Sequence, residues 1–112
     1  MIDWARAREL AEQLGPDDLE AVVGLFIEEV GGVLAARRAA PAAPGFAEDM
    51  HFLRGSALSL GFAEFAALCA ELEATPPPGR LAGPATARLD AAFDAARGAF
   101  LDGLPGLLPA HA

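Results

Sequence analysis

The sequence predicts an all-α domain, and three observations carry that prediction. Apolar residues recur at helical spacing in five segments, prolines and glycines stand between those segments, and no window alternates apolar and polar residues with the β-branched density of a strand. Valine is confined to the second segment. Short connections make successive helices antiparallel neighbours, so the expected architecture is an up-and-down four-helix bundle with a short additional N-terminal helix capping one end. At 112 residues the chain fits one domain. That domain is read over residues 1–103, with a Pro/Gly-containing C-terminal tail over 104–112 and no internal repeat.

Asp3 can cap the first helix, whose inward residues are Ala7, Leu10, Ala11 and Leu14 before Gly15 ends it. Pro16 suits a first helical position, and Asp17 and Asp18 favour the positive end of the helix dipole. The second helix carries a wide apolar face that includes Leu19, Val22, Val23, Phe26, Val30, Val33 and Leu34. Gly31 and Gly32 interrupt it, each costing roughly 1 kcal/mol relative to alanine, so a bend is allowed there while packing keeps the helix whole. Arg37 and Arg38 suit its carboxyl end. Pro41-Ala42-Ala43-Pro44-Gly45 breaks the chain, and Phe46 opens the third helix with Glu48 and Asp49 in its first turns. Gly61 stops it. In the fourth helix Phe62, Phe65, Cys69 and Leu72 mark one face, until Thr75-Pro76-Pro77-Pro78-Gly79 ends it. Pro84 can start the fifth, with Ala85, Leu89, Ala92, Phe93, Ala96 and Phe100 inward and Gly103 at its close.

The third helix carries the chemistry. Met50, Leu53, Ala57 and Leu60 follow each other by three, four and three residues, the period of one buried stripe. His51 falls outside that stripe, with Arg54 one turn on and Gly55 beside it. A histidine, a cation and a bare patch of backbone therefore share one surface. A neutral imidazole nitrogen is nucleophilic near neutral pH, and a guanidinium one turn away can donate charge-assisted hydrogen bonds to phosphoryl oxygens, each contributing roughly 1.5–3 kcal/mol. Gly55 removes a side chain beside the ring and lets a partner approach the helix backbone. Taken singly, each residue has a plainer reading: a solvated surface histidine, an arginine paired with a surface carboxylate, a glycine without a task.

The run His51-x-x-Arg54-Gly55-Ser56-x-x-x-Leu60-Gly61, continued by Cys69 and the Leu72-Glu73 pair, closely resembles the signature of histidine phosphotransfer (HPt) domains of bacterial phosphorelays. The resemblance covers about residues 3–102 and is specific from His51 to Glu73. It implies that His51 is the phosphorylated residue and that Gly55 admits the partner, while Arg54 is read from its own chemistry as stabilising the phosphoryl group. It also implies that receiver domains of response regulators and hybrid histidine kinases dock on the second and third helices. Two positions depart from the family pattern, which usually has lysine where Arg54 stands and a small residue where Phe62 stands. The first follows from the absence of lysine anywhere in the chain. The second changes either the core packing or the turn after Gly61.

The expected function is that of a free-standing phosphoryl carrier, relaying a group between receiver aspartates as a monomer. No Gly-x-x-x-x-Gly-Lys loop or other nucleotide cradle is present, so no kinase activity of its own is expected. No cofactor of its own is expected either, Mg2+ belonging to the partner receiver. The rival reading is a helical adaptor that binds a receiver or kinase without carrying phosphate. A metalloenzyme lacks ligands, with two histidines far apart and one cysteine. The formal net charge of -8 and eight scattered arginines argue against nucleic acid. No run approaches the roughly 20 apolar residues of a membrane span. Met1-Ile2-Asp3-Trp4-Ala5-Arg6 has no basic segment followed by an apolar core, so a cytoplasmic location is expected. Cys69 reads as a reduced, buried thiol, Phe26, Phe65, Phe93 and Phe100 as core, and His111 as an inert residue of the tail.

Overall fold

The computed structural model of the chain describes residues 2–76 and 83–107. These residues form five α-helices, α1 (Trp4–Leu14), α2 (Pro16–Ala39), α3 (Phe46–Leu60), α4 (Ala63–Ala74) and α5 (Gly83–Gly103), followed by a short 3-10 turn over Leu104–Leu107. Among the described residues there is no strand, only an isolated bridge between Ile2 and Phe62. Pro77, Pro78 and Gly79 of the expected break after α4, and His111, lie outside the described residues.

The helix ends follow local chemistry. The Asp3 side chain accepts a hydrogen bond from the Arg6 backbone N–H at 3.1 Å, the expected cap of α1. Pro16 starts α2, and Asp17 and Asp18 occupy its first turn. That helix runs unbroken through Gly31 and Gly32 to Ala39. Gly61 terminates α3 at φ +88°, a left-handed conformation that costs a side-chain-bearing residue about 1–2 kcal/mol. A second constraint holds the same glycine: a Cβ there would lie 2.5 Å from the Asp3 carbonyl oxygen. The N-terminal segment crosses so closely because the Asp3 N–H donates to the Gly61 carbonyl at 2.7 Å.

Each of α3's stripe residues, Met50, Leu53, Ala57 and Leu60, is buried. Helix α2 lies against α3 and α5, α4 lies against the same two, and α1 packs on α2 and α3. The core between them joins Leu19, Val23, Val30 and Leu34 of α2 to Phe65, Cys69 and Leu72 of α4 and Leu89, Phe93 and Phe100 of α5. Phe62, which departs from the family pattern, sits one position before α4 rather than on its inner face. It is nonetheless wholly buried, at the centre of an aromatic cluster. Its ring meets Phe26 edge-on at 5.2 Å and tilts against Phe100 at 5.3 Å and Phe93 at 6.3 Å. Such pairs contribute about 0.5–1.5 kcal/mol each beyond the area they bury. The large residue thus ties α2 and α5 together next to the Gly61 turn, so its departure is one of core packing.

One expectation on α2 is corrected and another is extended. Val22, read as part of the apolar face, is 37% exposed. Val23 takes the inward position, since two adjacent residues 100° apart on the wheel cannot both face the core squarely. Arg37 stands with Arg38 in the last turn of α2, as read, and is in addition buried. Its Nε donates to Asp49 Oδ2 at 2.9 Å, and its Nη atoms donate to the carbonyls of Pro41, Ala43 and Pro44 at 3.2, 2.7 and 3.0 Å. The α2–α3 connection has carbonyls that no helix satisfies, and the guanidinium's fork of donors supplies the partners. The guanidinium also lies 5.4 Å from the Phe46 ring centroid.

At the far end of the chain, Leu104 and Leu107 pack against the core. Trp4 stacks on Phe100 at 5.7 Å and lies so close to Gly103 that a Cβ there would clash with the indole. Both ends of the described chain are thereby tied to one end of the core.

Candidate functional site

Because α3 turns its stripe inward, His51 is carried outward, with 70% of its side chain exposed. Rigidity comes from beneath. Met50 and Leu53, the residues on either side of it along the stripe, have no exposed surface, so the helix that bears the imidazole is fixed by the core. Arg54, half-buried, places Nη2 3.4 Å from His51 Nδ1. That separation is long for a hydrogen bond and is easily given up. From α4, Glu73 brings Oε2 to 3.9 Å from the same Nδ1. Both charged neighbours therefore address Nδ1, and Nε2 has no hydrogen-bond partner among the described residues.

Gly55 is exposed, and a Cβ built on it meets nothing within 4 Å. Packing inside this chain does not require the glycine. Its absence of a side chain leaves bare backbone one helical turn from His51, and the Gly55 carbonyl also accepts a hydrogen bond from Ser59 Oγ at 3.1 Å. The three residues expected to act together, His51, Arg54 and Gly55, thus share the outer face of α3.

Under this surface lies Cys69, with no exposed area. Its thiol is pushed up to about 12, chiefly by burial, with Arg54 pulling it down and Glu73 adding to the rise. A thiol so held is inert at neutral pH.

Sequence reasoning did not place three residues that the structure brings to this surface or beside it. Glu73 belongs to the quoted motif, yet its proximity to His51 depends on how α4 packs against α3, which spacing along one helix cannot show. Phe52, 41% exposed, lines the hollow that holds His51, Ala47, Glu48 and Glu73, and also the groove between α2 and α3. Its signal was visible as an aromatic residue off the buried stripe. Leu25 is the third, 56% exposed on α2, and an off-face leucine there carried the same signal.

Among the described residues no group of three or more His, Cys, Asp or Glu side chains is arranged to hold a metal ion. No helix among them is long and apolar enough to cross a membrane. The family model described as Hpt domain matches residues 5–99, most of the chain and all of the site. No curated protein and no solved structure matches the chain.

Proposed function

The chain belongs to the Hpt domain family, whose members carry a phosphoryl group on histidine in phosphorelays, and from that premise we propose that His51 accepts a phosphoryl group from one receiver aspartate and passes it to another. The observation that carries this reading is the exposed imidazole on a buried-stripe helix, with Arg54 and Glu73 both at Nδ1 and Nε2 without a hydrogen-bond partner among the described residues. In the forward step Nε2 attacks the phosphorus of an aspartyl phosphate in line. The N–P bond forms, the P–O bond to the aspartyl carboxylate breaks, and the carboxylate leaves with the electron pair. The proton on Nδ1 stays where it is.

Attack by Nε2 needs the ring proton on Nδ1, and the Glu73 carboxylate favours it there. Arg54 is then free to turn from Nδ1 to the phosphoryl oxygens, where charge builds in a loose transition state. Little else is asked of the chain, because the donor is already activated and positioning supplies most of the acceleration. Gly55 supplies the clearance for the receiver's active-site loops, and Mg2+ is supplied by the receiver.

The receiver docks on the face made by α2 and α3, the four long helices forming an up-and-down bundle of which that face is one side. Docking is transient, near the lower end of interface sizes at about 1,200 Å2, because a carrier must release each partner. The protein works as a phosphoryl carrier without kinase activity, as a monomer in the cytoplasm. Incubation with phosphorylated receivers tests the proposal. Wild type takes up an acid-labile phosphoryl group and His51→Gln does not, whereas equal labelling of the two refutes it.

A further inference from the structure

Helix α3 starts without a side-chain cap, because its N-cap residue is Gly45. His51 stands in the second turn of that helix. Packing on the outer side of this end is thin as well, since an open groove of about 580 Å3, whose lining includes Gly32, Ala36, Asp49 and Phe52, lies between α2 and α3. Arg37 crosses between the two helices here. From the last turn of α2 its Nε donates to Asp49 Oδ2 at 2.9 Å, and its guanidinium lies 5.4 Å from the centroid of Phe46, one turn earlier on the same face of α3. The Asp49 backbone N–H in turn donates to the Gly45 carbonyl at 2.9 Å, so the residue held by Arg37 is one that closes the first turn of α3. The Nη atoms donate to the carbonyls of Pro41, Ala43 and Pro44. One guanidinium therefore ties the end of α2, the connection and the start of α3 into one body. Only 4% of Arg37 is exposed, and the chemistry at His51 does not use it.

We infer that Arg37 is a positioning residue for phosphotransfer: by holding Asp49 it fixes the His51-bearing turns of α3 relative to α2. The inference rests on the phosphocarrier reading above and adds the device that aligns the acceptor. A donor docked across α2 and α3 takes its place from both helices, whereas Nε2 is carried by α3 alone. Slippage of one helix against the other therefore misplaces Nε2 from the line of attack on phosphorus, and a misplacement of about 1 Å can slow a positioned reaction on the order of a hundredfold. Lysine cannot take over this task. Its ammonium is a point charge on a flexible stem, and it lacks the fixed fork of donors that addresses one carboxylate and three carbonyls together.

Arg37→Met, Arg37→Lys and Leu89→Ala are compared with wild type at a temperature where circular dichroism shows them folded; should Arg37→Met not fold, Arg37→Lys carries the test. Leu89 is buried on α5, and its truncation controls for stability lost away from Arg37. Each protein receives a saturating phosphorylated receiver in single turnover and, separately, phosphoramidate, a small donor that needs no docked geometry. Transfer from the receiver is expected to slow about tenfold in Arg37→Met and somewhat less in Arg37→Lys, and to keep the wild-type rate in Leu89→Ala. Labelling by phosphoramidate is expected to be equal in all four. Amide hydrogen exchange over residues 49–52 is expected to quicken in the Arg37 variants while that of α5 does not. Wild-type transfer or unchanged exchange at 49–52 in a folded Arg37 variant would overturn the inference and leave the phosphocarrier reading standing. Equal slowing in Leu89→Ala would trace the effect to stability, and slower phosphoramidate labelling would trace it to the imidazole itself; either would also overturn it. Failure of wild type to accept phosphate from phosphoramidate and from every receiver would overturn both.

Discussion

Replacing Arg54 and Leu53, two neighbours on one helix, separates the chemistry of α3 from its packing. Arg54 is half-buried, lies off the stripe and touches Nδ1 of His51 at 3.4 Å. Arg54→Ala removes one charge-assisted contact to the phosphoryl group, so single-turnover transfer from a phosphorylated receiver is expected to slow ten- to a hundredfold, the equivalent of roughly 1.4–2.8 kcal/mol in the barrier. Its melting temperature is expected to stay within a few degrees of wild type, because surface changes away from the core seldom exceed about 0.5 kcal/mol. Leu53 has no exposed surface, and truncating a buried leucine costs about 2–5 kcal/mol. With an unfolding entropy near 2.1 cal/mol/K per residue, that loss lowers the melting temperature of a chain this size by about 10–20 °C. Phosphotransfer by whatever fraction of Leu53→Ala remains folded is expected near the wild-type rate. Quenched-flow transfer and thermal circular dichroism on both variants give the answer. Normal transfer with early melting in Arg54→Ala would make the cation structural and remove the electrostatic part of the site.

Other variants test the remaining parts. Gly55→Glu places a long acidic side chain where the receiver's own acidic pocket must approach, and it is expected to abolish transfer from receivers while leaving helicity and phosphoramidate labelling intact; wild-type transfer would refute the clearance role. Gly61→Ala adds a Cβ 2.5 Å from the Asp3 carbonyl oxygen at φ +88°, and chemical denaturation is expected to show a loss of about 2 kcal/mol or more. Cys69 is expected to resist thiol reagents at pH 8 until the chain is unfolded with denaturant; prompt reaction of the native protein would show that the thiol is accessible. The thiol's contribution to pH-dependent stability is whole below the unfolded value near 8.5 and is lost as the pH rises toward the folded value of about 12, so denaturation midpoints are expected to fall over that window more in wild type than in Cys69→Ala.

Periodicity made most of the fold legible. The stripe of α3, the capping by Asp3, the stop at Gly61 and the all-helical class depend on neighbours within a turn or two, and such features are written locally. Contacts between distant segments are not. Arg37 read as a dipole partner because nothing in its own helix reveals that four groups from residues 41–49 converge on it. Val22 and Val23 looked equivalent by type, and only the packing of α2 against its neighbours decided which one is buried. At the candidate site His51, Arg54 and Gly55 were visible because they share one helix face. Glu73 reaches His51 from another helix, and Leu25 and Phe52 acquire meaning only when α2 and α3 are set side by side.

The measurement that meets the central claim most directly is localisation of the phosphoryl group by tandem mass spectrometry under neutral conditions, with 31P and 15N NMR identifying the ring nitrogen. After transfer from a phosphorylated receiver, the account predicts one phosphoryl group per chain, on His51 and at Nε2. A phosphoryl group on any other residue, or none on a folded chain exposed to active receivers, would contradict it.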